Sequence, residues 1–242
     1  MIVKGVAPAT GGLRVAVVIP AFNEEERVGA TVHAARGLPG VREVVVVDDG
    51  SRDRTSGRAL LAGARVIRAG RNRGKGWAME RGWRSTTGEV ILFLDADLGA
   101  SAAGATALLE PIVSGQADLT IATPPRRASA GGFGLSAGGF GLVAGLARLG
   151  LARLIGWRPA DPLSGQRAVS RRLLEGLEGL DGGFGAEVAM TMDALRRGYR
   201  VLEVPMTFTH RLSGRSWSDV RCRARQLADV AAALVIRWRW RK

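Results

Sequence analysis

Asp95 and Asp97 stand two residues apart, directly after the apolar run Val90-Ile91-Leu92-Phe93-Leu94. Two carboxylates at that spacing, where a buried strand gives way to a loop, can be aimed at one divalent cation. Hard oxygen ligands suit Mg2+ or Mn2+, and those ions favour phosphate oxygens as their remaining ligands. The chemistry on offer is metal-assisted handling of a diphosphate. Asp-x-Asp is common by itself, and its weight here comes from company. Asp48-Asp49-Gly50-Ser51 ends a second apolar run, Val44 to Val47, and Pro20-Ala21-Phe22-Asn23-Glu24-Glu25 ends a third, Val15 to Ile19.

Apolar runs without alternation are how strands of a parallel sheet read when both faces are covered. Ligands bind such sheets beyond the carboxyl ends of the strands, so the three polar clusters are expected in one cleft. The pattern predicts strands near 14–20, 42–48, 65–68, 89–94 and 117–122, and helices near 24–36, 54–63, 74–86 and 101–114. That alternation predicts an α/β fold, a single Rossmann-like, mostly parallel sheet with helices on both faces. Asn23 and Ser101 are the expected N-caps of the first and fourth helices. Residues 124–141 break the alternation: Gly131-Gly132-Phe133-Gly134 recurs as Gly138-Gly139-Phe140-Gly141. Such glycine density predicts a mobile loop over the site, with an inert linker as the alternative.

A chain of 242 residues with 46% hydrophobic residues can bury one sizeable core. The single cysteine, Cys222, excludes an internal disulfide and a cysteine-based metal cluster. There is no signal-peptide pattern and no run of the roughly 18 to 20 apolar residues that a membrane span needs. The expectation is a cytoplasmic protein, with any membrane contact peripheral and on the inner face. The net charge is +13, and residues 211–242 supply +7 of it through eight arginines and one lysine against Asp219 and Asp229. Charge concentrated in this way suits nucleic acid, an anionic membrane surface or an anionic substrate. Nucleic acid is set aside, because no binding motif is present and it leaves the acidic clusters unexplained.

From Trp217 onward, Val220, Ala224, Leu227, Ala231, Leu234 and Trp238 recur at alternating spacings of three and four, which predicts an apolar stripe on a helix. The helix ends in Arg237-Trp238-Arg239-Trp240-Arg241-Lys242, the composition of an anchor at an anionic lipid surface. Packing on the catalytic domain, or on a second subunit of a homo-oligomer, is the alternative. Leu142 to Trp157, apolar apart from Arg148 and Arg153, could also lie in a membrane interface.

Further motifs complete an ordered set: Asn72-Arg73-Gly74-Lys75-Gly76, Asp161-Pro162-Leu163-Ser164-Gly165-Gln166, Phe184-Gly185-Ala186-Glu187 and Gly198-Tyr199-Arg200-Val201-Leu202-Glu203-Val204-Pro205. With the three clusters above, and over about residues 14–216, the sequence resembles the GT-A fold glycosyltransferases of family 2, in the group of polyprenyl-phosphate sugar transferases. The resemblance implies a GT-A catalytic domain at 1–216, with a nucleotide-binding half near 14–122 and an acceptor half near 123–216. A basic amphipathic C-terminal helix, 217–242, follows it.

The implied donor is a UDP- or GDP-linked sugar. The resemblance puts Pro20, Ala21, Asn23 or Glu24, and Asp48 or Asp49, on the nucleoside. Carboxylates suit that task because they accept bonds from ribose hydroxyls and base N–H groups. Asp49 could equally be a turn former before Gly50. Lys75, Asp95, Ala96 and Gln166 complete the expected donor contacts. Gly74-Lys75-Gly76 is not a Walker A loop, since Ala69 and Gly76 stand where that motif needs Gly and Ser or Thr. Lys75 would reach the nucleotide as a point charge, or be a solvated lysine at a helix start.

Mg2+ or Mn2+ is expected on Asp97, with Asp95 supporting the ion or the nucleotide. Polyprenyl-phosphate mannose synthases of the group often carry a Gln ligand where this chain has Gly99. His210 could replace it, as a late histidine does in branches that glycosylate phosphoglycerate. A diphosphate hydrogen bond and a structural role are the other readings of His210. Glu187 is a general-base candidate for a hydroxyl acceptor; for an acceptor that is already a phosphate anion it would orient the acceptor or cap a helix. Arg126, Arg211 and Arg215 are candidates for acceptor or sugar-linked phosphates. The acceptor expected first is polyprenyl phosphate, and the alternative is a soluble phosphorylated acid such as phosphoglycerate. The rival classes are a sugar nucleotidyltransferase, whose Gly-rich basic signature is missing after the first strand, and a non-catalytic binding relative.

Overall fold

The computed structural model describes residues 13–124, 140–180, 183, 185–208 and 227–236. The chain starts as the sequence predicts, with β1 (Val15–Ala21), α1 (Val28–Arg36), β2 (Val41–Asp48), α2 (Thr55–Leu61), β3 (Arg65–Arg68), α3 (Lys75–Arg84) and β4 (Val90–Phe93). A 3-10 turn, Gly99–Ala105, leads into α4 (Thr106–Val113), and β5 (Leu119–Thr123) follows. Then come α5 (Phe140–Ile155), β6 (Arg167–Ser170), α6 (Arg171–Gly176), α7 (Ala186–Arg196) and β7 (Val201–Pro205). A last helix, α8, covers 227–236.

The seven strands form one sheet in the order β3-β2-β1-β4-β6-β5-β7. All pairings are parallel except those of β6, which runs antiparallel between β4 and β5. Alternate residues of the apolar runs serve opposite faces. Val15, Val17, Ile19, Val44, Val46, Leu92 and Leu94 pack with α1, α2 and α4. Ala16, Val18, Val45, Val47, Ile91 and Phe93 pack with α3, α6 and α7. Each of these strands is hydrophobic throughout because both of its faces are covered. From β1 the chain moves to β2 and β3 on one side and later to β4 on the other. The crevice beyond the carboxyl ends of β1 and β4 is therefore the switch point at which such sheets bind ligands.

Several local expectations differ. The first helix starts at Val28, not near 24, and its N-cap is Arg27 without a side-chain bond. Asn23 has φ 56° and its carboxamide oxygen accepts from Arg52 N at 2.9 Å, so its side chain is used on the neighbouring loop. Ser101 does not cap a helix either; it lies in the 3-10 turn and donates to Leu98 O at 2.7 Å. β6 has no counterpart among the predicted strands.

The helical stripes also resolve. α5 buries Val143, Ala147 and Leu151 against Val188 and Met192 of α7 and against Val230 and Leu234 of α8. The segment read as interfacial is thus part of a third core cluster. On α8 the buried side chains are Val230, Ala233 and Leu234, whereas Leu227, expected in the stripe, is exposed. Among the described residues no helix is long and apolar enough to cross a membrane.

Candidate active site

Asp95 follows β4, and both of its carboxylate oxygens are engaged. Oδ1 is 2.6 Å from Lys75 Nζ, and Oδ2 accepts from Gln166 Nε2 at 2.6 Å. Lys75 opens α3, and its ammonium also lies 2.9 Å from Glu187 Oε1 in the first turn of α7. Burial alone would lower the Lys75 pKa; the carboxylates of Asp95 and Glu187 outweigh it and hold the pKa above the ordinary lysine value. Gln166 arrives because β6 lies against β4, with Arg167 opposite Phe93. A Cβ at Gly165 would come within 2.5 Å of Lys75 Nζ and 2.6 Å of the Asp95 oxygens. A side chain there would have to push the ends of Lys75 and Asp95 aside.

Beneath the network lies Arg167, fully buried. It donates to Ser164 O at 2.7 Å, Glu187 O at 2.8 Å, Thr191 Oγ1 at 2.8 Å and Pro162 O at 3.1 Å. Burial lowers its pKa to about 10, against the opposing pull of Glu187, Asp161 and Asp95, so it stays charged at neutral pH. Arg167 thereby ties the segment that carries Gln166 to the helix that carries Glu187. Sequence reasoning missed it; the available signal was a lone cation directly before the apolar pair Ala168-Val169.

The aspartates after β2 serve the loops. Asp48 is fully buried; its carboxylate accepts from Ser51 N at 2.7 Å and from Ser56 Oγ. Asp49 accepts from Arg73 N and Gly74 N, both at 2.8 Å, and so fixes the turn that launches α3 and Lys75. The loop after β1 joins the same lattice through Asn23 N to Ser51 Oγ at 2.9 Å and Glu24 N to Thr55 Oγ1 at 2.8 Å. Beside these loops opens a cavity of about 730 Å³, whose lining includes Asn23, Ser51, Arg52, Arg68, Arg71 and Asn72 and, among the described residues, no Asp or Glu.

The expected site residues thus fall into two groups. Lys75, Asp95, Gln166 and Glu187 form one hydrogen-bonded network, with Ala96 buried and Asp97 half-buried in the same loop. Asn23 lines the cavity, and Glu24, Asp48 and Asp49 brace the loops around it. Pro20 and Ala21 are the last residues of β1, beside Val47 and Asp48 of β2. Glu187, offered as a possible helix cap, instead turns its carboxylate to Lys75. Arg126, His210, Arg211 and Arg215 lie outside the described residues. Among the described residues no three His, Cys, Asp or Glu side chains gather on one point.

A seven-stranded, mostly parallel sheet with paired carboxylates at its switch point defines a nucleotide-binding class of α/β protein. The model of glycosyl transferase family 2 matches residues 16–177, and the chain belongs to that family. Glucosyl-3-phosphoglycerate synthase of Mycobacterium tuberculosis is 33% identical over 206 residues, 78% of this chain and 63% of that protein. Dolichol-phosphate mannosyltransferase of Pyrococcus furiosus is 32% identical over 216 residues, 84% of this chain and 59% of that one. The chain thus spans less than two thirds of the length of these curated relatives. The crystal structure of the M. tuberculosis synthase in complex with Mn2+, uridine-diphosphate and phosphoglyceric acid matches with a TM-score of 0.76 at 29% identity, covering 93% of this chain and 78% of that one. The fold is GT-A.

Proposed function

We propose that the protein is a metal-dependent glycosyltransferase that moves a sugar from a uridine-diphosphate sugar to a small phosphorylated acceptor of the phosphoglycerate type. The observation that carries the reading is the alignment of a roomy, arginine-lined cavity beyond β1 to β3 with the Asp95 to Asp97 loop beyond β4. A nucleoside in the cavity has its diphosphate directed along the strand ends toward Asp97. Both aspartates after β2 accept bonds from protein N–H and hydroxyl groups and so hold the loops around this cavity. The lining offers donors from Arg52, Arg68, Arg71 and Asn72 instead, which suit the carbonyl oxygens of uracil.

The residues present fit a hard divalent cation. Asp97 is a half-buried carboxylate at a strand end, with Asp95 beside it in the same loop. Asp97 would hold the ion, with His210 as the further ligand expected from sequence, and the ion would neutralise charge on the leaving diphosphate. Lys75 adds a positive charge beside Asp95, two residues before Asp97, and holds the Glu187 carboxylate. Two observations favour a soluble acceptor over the polyprenyl phosphate that sequence reasoning puts first. The M. tuberculosis synthase is crystallised with phosphoglyceric acid, and α8 packs Val230 and Leu234 with α5 and α7.

Thermal unfolding with UDP or GDP, each with and without Mn2+, tests the donor half of this reading. The expected result is stabilisation by UDP with Mn2+, about 2.7 kcal/mol at a ligand concentration 100 times Kd, a weaker effect of GDP, and loss of the Mn2+-dependent part in Asp97→Asn. Equal stabilisation of Asp97→Asn and the parent would remove Asp97 from the metal.

A further inference from the structure

The loop that carries Asp97 is held from outside, by a helix that has no residue expected on the ion. Thr31, in the third position after Val28 of α1, is fully buried. Its hydroxyl lies 2.8 Å from Ala96 O, as donor, and 2.8 Å from Gly99 N, as acceptor. A buried threonine in a helix commonly bonds the carbonyl four residues back. Here that contact, to Arg27 O, is the longer one at 3.2 Å. One helical turn earlier, Arg27 Nη1 donates to Asp97 O at 3.1 Å.

The backbone is thus fastened at residues 96, 97 and 99 by two side chains of one helix. Gly99 has φ 56°, a left-handed conformation, and it opens the 3-10 turn, whose first N–H groups have no partner within the turn. Thr31 supplies one from outside. Asp97 therefore leaves the strand with its backbone fixed on both sides.

We infer that Thr31, assisted by Arg27, is the positioning residue for the Asp97 carboxylate, so that α1 sets the affinity of the site for its divalent cation. The inference rests on the reading of Asp97 as a metal ligand. Groups that orient metal ligands commonly matter to affinity almost as much as the ligands themselves. Deleting the hydroxyl takes the Thr31 partner from a buried carbonyl and a half-buried N–H within two residues of Asp97, which frees the loop to turn.

The test is a Mn2+ titration of UDP binding by calorimetry, on the full chain and on Thr31→Val, which keeps the shape, and Thr31→Ser, which keeps the hydroxyl. Thr31→Val should raise the half-saturating Mn2+ concentration by about 10-fold or more and leave metal-free UDP binding unchanged, while Thr31→Ser stays within about twofold. A purely structural threonine would lower the unfolding midpoint and leave the titration where it was. That result, or equal shifts in both variants, overturns the inference. If Thr31→Val does not fold, Arg27→Met carries the test: a weaker Mn2+ response upholds the inference and an unchanged one overturns it. Should the parent chain itself bind UDP equally with and without Mn2+, the metal reading falls first and takes the inference with it.

Discussion

Lys75 joins two carboxylates from distant parts of the chain, and the site's electrostatics depend on it. Its side chain is 20% exposed and that of Glu187 is 4% exposed, so neither charge can rely on water. Lys75→Met should leave Asp95 and Glu187 facing one another and lower the unfolding free energy by about 2–4 kcal/mol in urea denaturation. The folded pKa of Lys75 is raised above its unfolded value, so its contribution is fully present below the ordinary lysine pKa and is lost only as pH rises through the raised one. The stability difference between parent and variant should therefore persist up to about pH 9 and shrink in strong alkali. A difference that is lost as pH rises from about 7 to 9 would contradict the pairing. The sequence marked residues 75, 95, 166 and 187 as one motif set but not as one network. Their bonds depend on β6 running antiparallel beside β4, which no local pattern encodes. Thr31 and Arg167 were invisible for the same reason: each acts through carbonyls and N–H groups of remote loops.

Elements were more legible than contacts. Uninterrupted β-branched runs announced β1, β2 and β4, since a strand covered on both faces has no polar side to show. Helix starts were misjudged where Asn and Ser had been given capping duty, because Asn23 and Ser101 satisfy neighbouring loops instead. At α8 the spacing rule was right for Leu234 and wrong for Leu227. Residues 227, 231 and 234 share one helical face, but the surface offered by α5 and α7 receives 230, 233 and 234. This correction is measurable. Leu234→Ala should cost about 2–3 kcal/mol of stability, as truncation of a core leucine does. Leu227→Ala should stay within about 0.5 kcal/mol, as surface changes do. The reverse order would mean that α8 does not pack as described.

At the scale of the whole molecule, one end of one sheet gathers the described residues that the donor side of the proposed chemistry needs. The loops after β1, β2 and β3 border the cavity, the loop after β4 carries Asp97, and α3 and α7 bring Lys75 and Glu187 from the face on which they pack. That convergence was readable from sequence because parallel strands deliver their carboxyl ends to one side. The acceptor was not, since the residues expected on it, Arg126, Arg211 and Arg215, belong to segments without periodic pattern. The direct test is release of UDP from UDP-glucose with Mn2+, measured with phosphoglycerate, with polyprenyl phosphate and with neither. Release that depends on phosphoglycerate, and is lost in Asp97→Asn, is the predicted result. Release with polyprenyl phosphate alone would contradict the proposed acceptor, and no acceptor-dependent release with either would contradict the assignment as a transferase of this kind.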